Sequence, residues 1–268
     1  MLKEGTMPVT LAFLGTGTCN STPRNPSSLA LSNGEEVFCI DFGGGAYHQL
    51  SRVNHPAFSY KNLSAIFLTH FHVDHVSGLP DLLWGEMWDR TGRRLDPLVL
   101  GGPHGLGNFY EQRLLPFMGD YPVPFPVKLL EMGDGEAYEG SFFRITAHRL
   151  AHGEFSTGYL IEAGEKRIAV TGDTGMCDGI ARLCAGASLA VMEWGITGDD
   201  AYPGHLNTGN VLELLEGGAL PPVVYVTHVY PEPGASTREQ LDKMRRVVDE
   251  YPVRFVFPED TQFLDLEA

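Results

Sequence analysis

The sequence predicts an α/β fold of two β-sheets with helices on their outer sides. Three observations support this. Short apolar or alternating runs of strand length recur through both halves of the 268-residue chain. Stretches with a helical apolar stripe fall between them. Turn-forming residues separate the two kinds of segment, and there is no low-complexity tract or short repeat. The length suits one large domain or two small ones, and 1–268 is read as a single domain.

Residues 8–14 (PVTLAFL) form the first expected strand, closed by the turn-rich loop GTGTCNSTPRNPSS. Residues 29–31 and 37–40 read as a hairpin around Asn33-Gly34, a strong turn signal. DFGGGA then turns into a helix over 47–53, and LSAIFLT (63–69) is a buried strand. A helix from Gly78 or Pro80 to about Trp88, a strand at 98–100 and a helix around 107–115 follow, while the proline-rich YPVPFPVK (121–128) is a loop. In the second half, strands are expected at 142–147, 156–162, 166–170, 188–193, 223–227 and 253–257. Helices are expected at 208–215, with Val211, Leu212, Leu214 and Leu215 on one stripe, and at 237–250, with Leu241, Met244, Val247 and Val248.

The net charge is −15. Such a surface repels phosphate backbones at long range and argues against a large nucleic-acid footprint. The basic pairs Lys166-Arg167 and Arg245-Arg246 are too short to make a basic run. Four cysteines without a CxxC pair give no disulfide scaffold and point to a reducing cytoplasm. The N-terminal stretch reads as a first strand and not a signal peptide. No apolar run reaches membrane-span length.

The chemistry is concentrated in LTHFHVDHVSGLP (68–80), where His70, His72, Asp74 and His75 fall within six positions. Residues i and i+2 of an extended segment share a face, so His70 and His72 can point at one cation. Asp74 and His75, in the following turn, can reach a second. Imidazole and carboxylate suit zinc and related divalent ions. A solvated loop is the plainer alternative, but three of the chain's ten histidines in six positions argue against it. Further ligands must come from elsewhere. His152 after RITAHRLAHG, Asp173 after RIAV and His228 after VVYV each follow an apolar strand, and loops at strand ends are where function concentrates. His148, four residues before His152, is an alternative third ligand.

This HxHxDH pattern, followed in order by His152, Asp173 and His228, resembles the metallo-β-lactamase superfamily over almost the whole chain. The AHG at 151–153 fits that pattern and favours His152 over His148. The resemblance implies an αββα sandwich and two divalent metals, zinc by default, with manganese or iron also compatible. His70, His72 and His152 would hold one metal, Asp74, His75 and His228 the other, and Asp173 would bridge them beside a shared hydroxide. Class B β-lactamases commonly place a cysteine ligand near the position where Asp173 stands here, so β-lactamase activity is rejected.

Within the superfamily, FLGTGTCNSTPRNPSSLAL, the Asp41 to Gly43 D-x-G and residues 76–105 look like the ribonuclease Z branch and its phosphodiesterase relatives. That likeness makes Glu193 in MEWG the residue that orients His205 in GHLN, with His205 assisting the leaving group and Asp74 bonding the nucleophile. The tetrads themselves are altered, so only Glu193 and His205 carry over. Typical bacterial tRNA-processing members insert a long RNA-gripping arm between the third-motif histidine and the bridging aspartate. Here Asp173 lies only 21 positions after His152, enough for two strands. A binuclear phosphodiesterase for a small phosphodiester or cyclic phosphate is therefore favoured over a tRNA 3′-processing endoribonuclease. Lactonase, sulfatase and thioesterase chemistry share the same ligands, and a binding-only protein would be expected to lose them. A homodimer is a family expectation, and RNA is a less favoured partner. His48, His55 and His104 read as structural or loop residues, Trp84, Trp88 and Trp194 as core or cleft aromatics, and neither GTG nor GGG is a nucleotide loop.

Overall fold

The computed structural model describes residues 8–92 and 94–266. They fall into two compact units. The first runs through Gly15, from Asn25 to Met132, and resumes at Asp260; the second holds Thr16–Arg24 and Gly133–Glu259.

The first unit is built on a seven-stranded mixed sheet. Its strands are β1 (Val9–Gly15), β2 (Ser28–Ser32), β3 (Val37–Ile40), β4 (Leu63–Phe67), β5 (Leu98–Gly102), β6 (Val127–Glu131) and, from the far end of the chain, a strand at Phe263–Leu266. The order is Phe263–Leu266, β1, β2, β3, β4, β5, β6. Pairing is antiparallel from the terminal strand to β3 and parallel from β3 to β6. The Asn33-Gly34 hairpin forms as expected, with Gly34 at φ 88°. Helices α1 (Ala46–Arg52), α2 (Val73–Val76), α3 (Leu79–Met87) and α4 (Leu106–Phe109) belong to this unit. Leu50, Leu79, Leu82 and Leu83 pack with Leu14, Ile66, Leu68 and Leu100 in one core. Each fully buried side chain of this size contributes roughly 1.5–3 kcal/mol.

The second unit carries another seven-stranded mixed sheet. It contains β7 (Ala137–Glu139), β8 (Arg144–Arg149), β9 (Thr157–Ala163), β10 (Lys166–Val170), β11 (Leu189–Glu193), β12 (Val223–Thr227) and β13 (Arg254–Val256), which leaves Phe263–Leu266 as β14. The order is β13-β12-β11-β10-β9-β8-β7, parallel from β13 to β10 and antiparallel from β10 to β7. Helices α5 (Asp178–Cys184), α6 (Thr208–Glu216) and α7 (Thr237–Val248) accompany it. The stripes read from the sequence are the buried ones: Val211, Leu214 and Leu215 of α6, and Leu241, Met244 and Val248 of α7, join a core with the fully buried Trp194. Among the described residues no helix is long and apolar enough to cross a membrane.

The topology positions the chemistry. Strands β10, β11 and β12 are parallel, and β8 runs the same way because β9 is antiparallel to both β8 and β10. Their carboxyl ends therefore lie along one edge of the sheet. His152 follows β8, Asp173 follows β10, Glu193 ends β11 and His228 follows β12. Ligands of open α/β sheets gather at such carboxyl ends. The first unit repeats the arrangement, with Asp41 directly after β3 and His70 just after β4.

The expected elements are present with small boundary shifts, and the differences have physical reasons. Asp74 and His75, expected in the turn after the strand, sit on the single helical turn α2. Beyond Phe109, residues 110–114 continue as a widened π-turn and 115–118 as a 3₁₀ turn, where Pro116 restricts the backbone. Strand β6 begins at Val127, at the end of the proline-rich segment read as a loop.

Candidate metal centre

In the first unit the polar cluster is organised by Asp41. This carboxylate is 2% exposed and accepts from the Thr69 backbone N–H (2.7 Å), the Thr69 hydroxyl (2.9 Å to Oδ2) and His75 Nδ1–H (2.7 Å). His70 Nδ1–H donates in turn to Thr69 Oγ1 at 3.0 Å. One buried carboxylate thus holds His75 directly and His70 through a hydroxyl. With the proton fixed on Nδ1, each neutral ring carries its lone pair on Nε2, the usual pattern for metal-ligating histidines. The His70 ring lies 4.5 Å from His72 and 4.1 Å from His75, centroid to centroid.

The backbone is shaped to allow this. Asp41 has φ 57°, a left-handed conformation that short polar residues tolerate. Phe42 N–H donates to the His75 carbonyl and Gly78 N–H to the Phe42 carbonyl. A Cβ on Gly78 would come within 2.4 Å of the Gly43 carbonyl oxygen, so the DFGGG turn can touch the HxHxDH segment only because these positions are glycine.

In the second unit Asp173, His205 and His228 offer ligand atoms that all lie within 4.8 Å of one another. His228 Nε2 is 3.3 Å and His152 Nε2 3.9 Å from Asp173 Oδ2. His152 Nδ1–H donates to the Gly204 carbonyl at 2.7 Å, which again places the lone pair on Nε2. His228 adopts φ 56°, so both units hold a non-glycine residue in the left-handed region at the cluster.

Glu193 and His205 meet as the sequence reading paired them. His205 Nδ1–H donates to Glu193 Oε1 at 3.1 Å, and both residues are buried. Glu193 also accepts from the backbone N–H groups of Thr174 (2.6 Å) and Leu206 (3.3 Å). Burial first, and the Asp173 carboxylate second, push the Glu193 carboxyl well above its usual range. The His205 ring stacks on His228 at 5.5 Å with 9° between planes.

His148 lies within β8, opposite Gly158, and burial lowers its pKa. His152, beyond the strand end, is the one beside Asp173. Trp194 is core, whereas Trp88 is exposed. Asp41 was legible only as part of a D-x-G motif. Thr69, Gly204 and Tyr230, whose hydroxyl is 3.3 Å from His205 Nε2, carry no signal beyond nearness in sequence to a candidate site residue.

The model for the β-lactamase superfamily domain matches residues 38–229. Ribonuclease Z of Limosilactobacillus fermentum is 35% identical over 157 residues, covering 57% of this chain and 48% of that protein. Ribonuclease BN of Erwinia tasmaniensis is 34% identical over 160 residues, covering 58% and 50%. The chain thus spans about half the length of these relatives. Among solved structures, the metallo-β-lactamase fold protein YhfI from Bacillus subtilis has a TM-score of 0.78 at 17% identity, over 97% of this chain and 99% of that one. Human tRNase Z, short form, has a TM-score of 0.71 at 22% identity, over 97% and 100%. Yeast PDE1 has 0.76 at 14%, also over 97% and 100%. These likenesses establish the fold that the sequence led us to expect.

Proposed function

Because this chain belongs to the β-lactamase superfamily, we propose that residues 1–268 act as one binuclear metal-dependent hydrolase domain that cleaves a small phosphodiester or cyclic phosphate. The observation that carries the reading is the buried Glu193–His205 pair beside Asp173. A carboxylate that fixes one ring nitrogen leaves the other to serve as a proton donor, which suits expulsion of an alkoxide.

His70, His72 and His152 would hold one divalent metal, Asp74, His75 and His228 the other, and Asp173 both. The donor set fits: His70, His75 and His152 each commit Nδ1 to an oxygen acceptor, the tautomer a metal requires. Imidazole and carboxylate donors suit zinc, and manganese or iron as well. When bound, such ions lower the pKa of water and neutralise charge on a phosphoryl group. The chain's own residues supply the rest. Asp74 accepts a hydrogen bond from the nucleophile and orients it. His205 gives its Nε2 proton to the departing oxygen. Glu193 fixes the tautomer and stabilises the imidazolium.

The names of the relatives support a second reading, tRNA 3′-end processing. Against it stand the charge of −15 and the interval between His152 and Asp173, which is filled by the β9–β10 hairpin turning at Gly164. Four cysteines without a CxxC pair support a reducing cytoplasm. A homodimer rests on the family resemblance alone.

Rates on bis(p-nitrophenyl) phosphate, a 2′,3′-cyclic nucleotide, a lactone and a pre-tRNA, at measured metal content, test the reading. Turnover of the first two is expected, with His205→Ala costing about 10²–10⁴ in rate on the cyclic nucleotide. The cost should be much smaller on the diester with the good p-nitrophenolate leaving group. Preference for the lactone or the pre-tRNA would replace the reading, and equal losses on both phosphates would remove His205 from the acid role.

A further inference from the structure

We infer that Tyr230 is a positioning residue for His205, holding the proton-bearing Nε2 in the orientation from which it meets the leaving oxygen; this rests on the phosphodiesterase reading above. A histidine bound only at Nδ1 can swing about that one hydrogen bond. Here the opposite end is held too, because the Tyr230 hydroxyl lies 3.3 Å from His205 Nε2. The Tyr230 ring stands edge-on to His205 (5.2 Å, 80°) and to His228 (5.3 Å, 87°), bracing the stacked histidine pair from the side.

Tyr230 is itself fixed at its backbone. Its N–H donates to the Gly195 carbonyl at 3.0 Å. Its carbonyl accepts from Gln240 Nε2 at 2.7 Å, and the same nitrogen donates to Thr197 Oγ1 at 2.7 Å. Gln240 is 3% exposed on α7. A Cβ on Gly195 would lie 2.9 Å from Glu193 Oε2 and 3.4 Å from Tyr230 Cδ2, so a glycine there lets the acid's two supports close around it. A phenol also serves both forms of the ring. Its oxygen accepts from Nε2–H of the imidazolium, and its O–H donates to the Nε2 lone pair of the neutral ring.

The step balances without changing the charge of Tyr230. As the P–O bond breaks, its electron pair stays on the leaving oxygen, which takes the Nε2 proton. His205 is left neutral, with Nδ1–H still on Glu193, and the Tyr230 O–H turns to the new lone pair. Loss of the hydroxyl therefore leaves the donor present but loosely aimed.

Tyr230→Phe tests this, since it keeps the ring packing and removes only the hydroxyl. At equal metal content, kcat on a 2′,3′-cyclic nucleotide should fall about tenfold to a hundredfold, as expected of a misdirected catalytic group, with KM little changed. The loss should be at least several-fold larger than on bis(p-nitrophenyl) phosphate. Equal losses on both, or a change confined to KM, would overturn the proposal, because a general structural role predicts them. Nitrogen NMR of the zinc-loaded protein, assigned with His205→Ala, reads the hydrogen bond without any substrate. The His205 Nε2 resonance should move in Tyr230→Phe while its Nδ1 holds. An unmoved Nε2 sinks the inference even if both diesters are cleaved; a moved Nε2 with neither diester cleaved supports the hydrogen bond and overturns the phosphodiesterase reading instead.

Discussion

At the scale of single residues, the buried carboxylate of Asp41 deserves as much weight as the histidines it holds. It takes three hydrogen bonds from Thr69 and His75, and through Thr69 it also sets the tautomer of His70. Asp41→Asn separates this role from backbone strain, because asparagine also tolerates φ 57°. Its amide offers one acceptor where two are used and turns a donor towards donors. Metal affinity should fall about 10–100-fold, the usual cost of losing such an outer partner, as read by competitive titration against a chelator. Undiminished affinity would show that the Asp41 network is structural only.

A second carboxylate, Glu86 on α3, makes the opposite case. It is 1% exposed, and burial raises its pKa despite the Arg94 guanidinium at 3.9 Å. A raised folded pKa means that ionisation costs stability, and the cost appears as pH climbs from the unfolded value through the folded one. Glu86→Gln removes that cost. Arg94 keeps the carbonyls of Leu63 and Tyr60 as partners, so little is lost there. The variant should melt higher than the parent at pH 7 and level with it near pH ~3.5, below the ordinary glutamate value. A parallel gap at both values would point to packing instead.

At the scale of elements, what the sequence made legible depended on whether local pattern and tertiary role coincide. β10, β11 and β12 are largely buried runs that lead into a candidate site residue, so strand and site are legible together. β6 and β14 are half-exposed and bounded by prolines or the chain end, so no local signal marked them; their partners, β5 and β1, decide them. The hydrogen bonds from His75 to Asp41 and from His152 to Gly204 span 34 and 52 residues and leave no trace in spacing. Helix α6 shows the two levels meeting. Asn207 caps it through a reciprocal box with Asn210 and donates to the carbonyls of Asp199 and Asp200, tying down the loop that carries His205. Asn207→Ala should cost about 1–2 kcal/mol in urea unfolding. It should also reduce turnover of a cyclic nucleotide more than that of a p-nitrophenyl diester, because His205, the proposed acid, sits two residues upstream. A stability loss with an unchanged substrate ratio would separate the cap from the site.

For the whole molecule, charge bears on which phosphodiester the proposed activity would take. A net −15 spread over 268 residues repels a polyanion, while a small diester carries little charge to repel. The interval where a long arm could stand is a tight hairpin, with Glu162 opposite Arg167 and within 3.6 Å of its guanidinium. Protein–RNA affinity that depends on lysine and arginine loses roughly 0.7–0.9 in log–log slope per phosphate neutralised. Binding of a pre-tRNA, measured from low to physiological salt, should therefore be weak, with a slope between 0 and about −2. Cleavage of a cyclic nucleotide should hardly change over the same range, since its recognition would lie within the cluster and be screened little. A slope of about −4 or steeper, with tight binding at physiological salt, would require a basic face assembled from residues distant in sequence, and would move the assignment from a small diester to RNA.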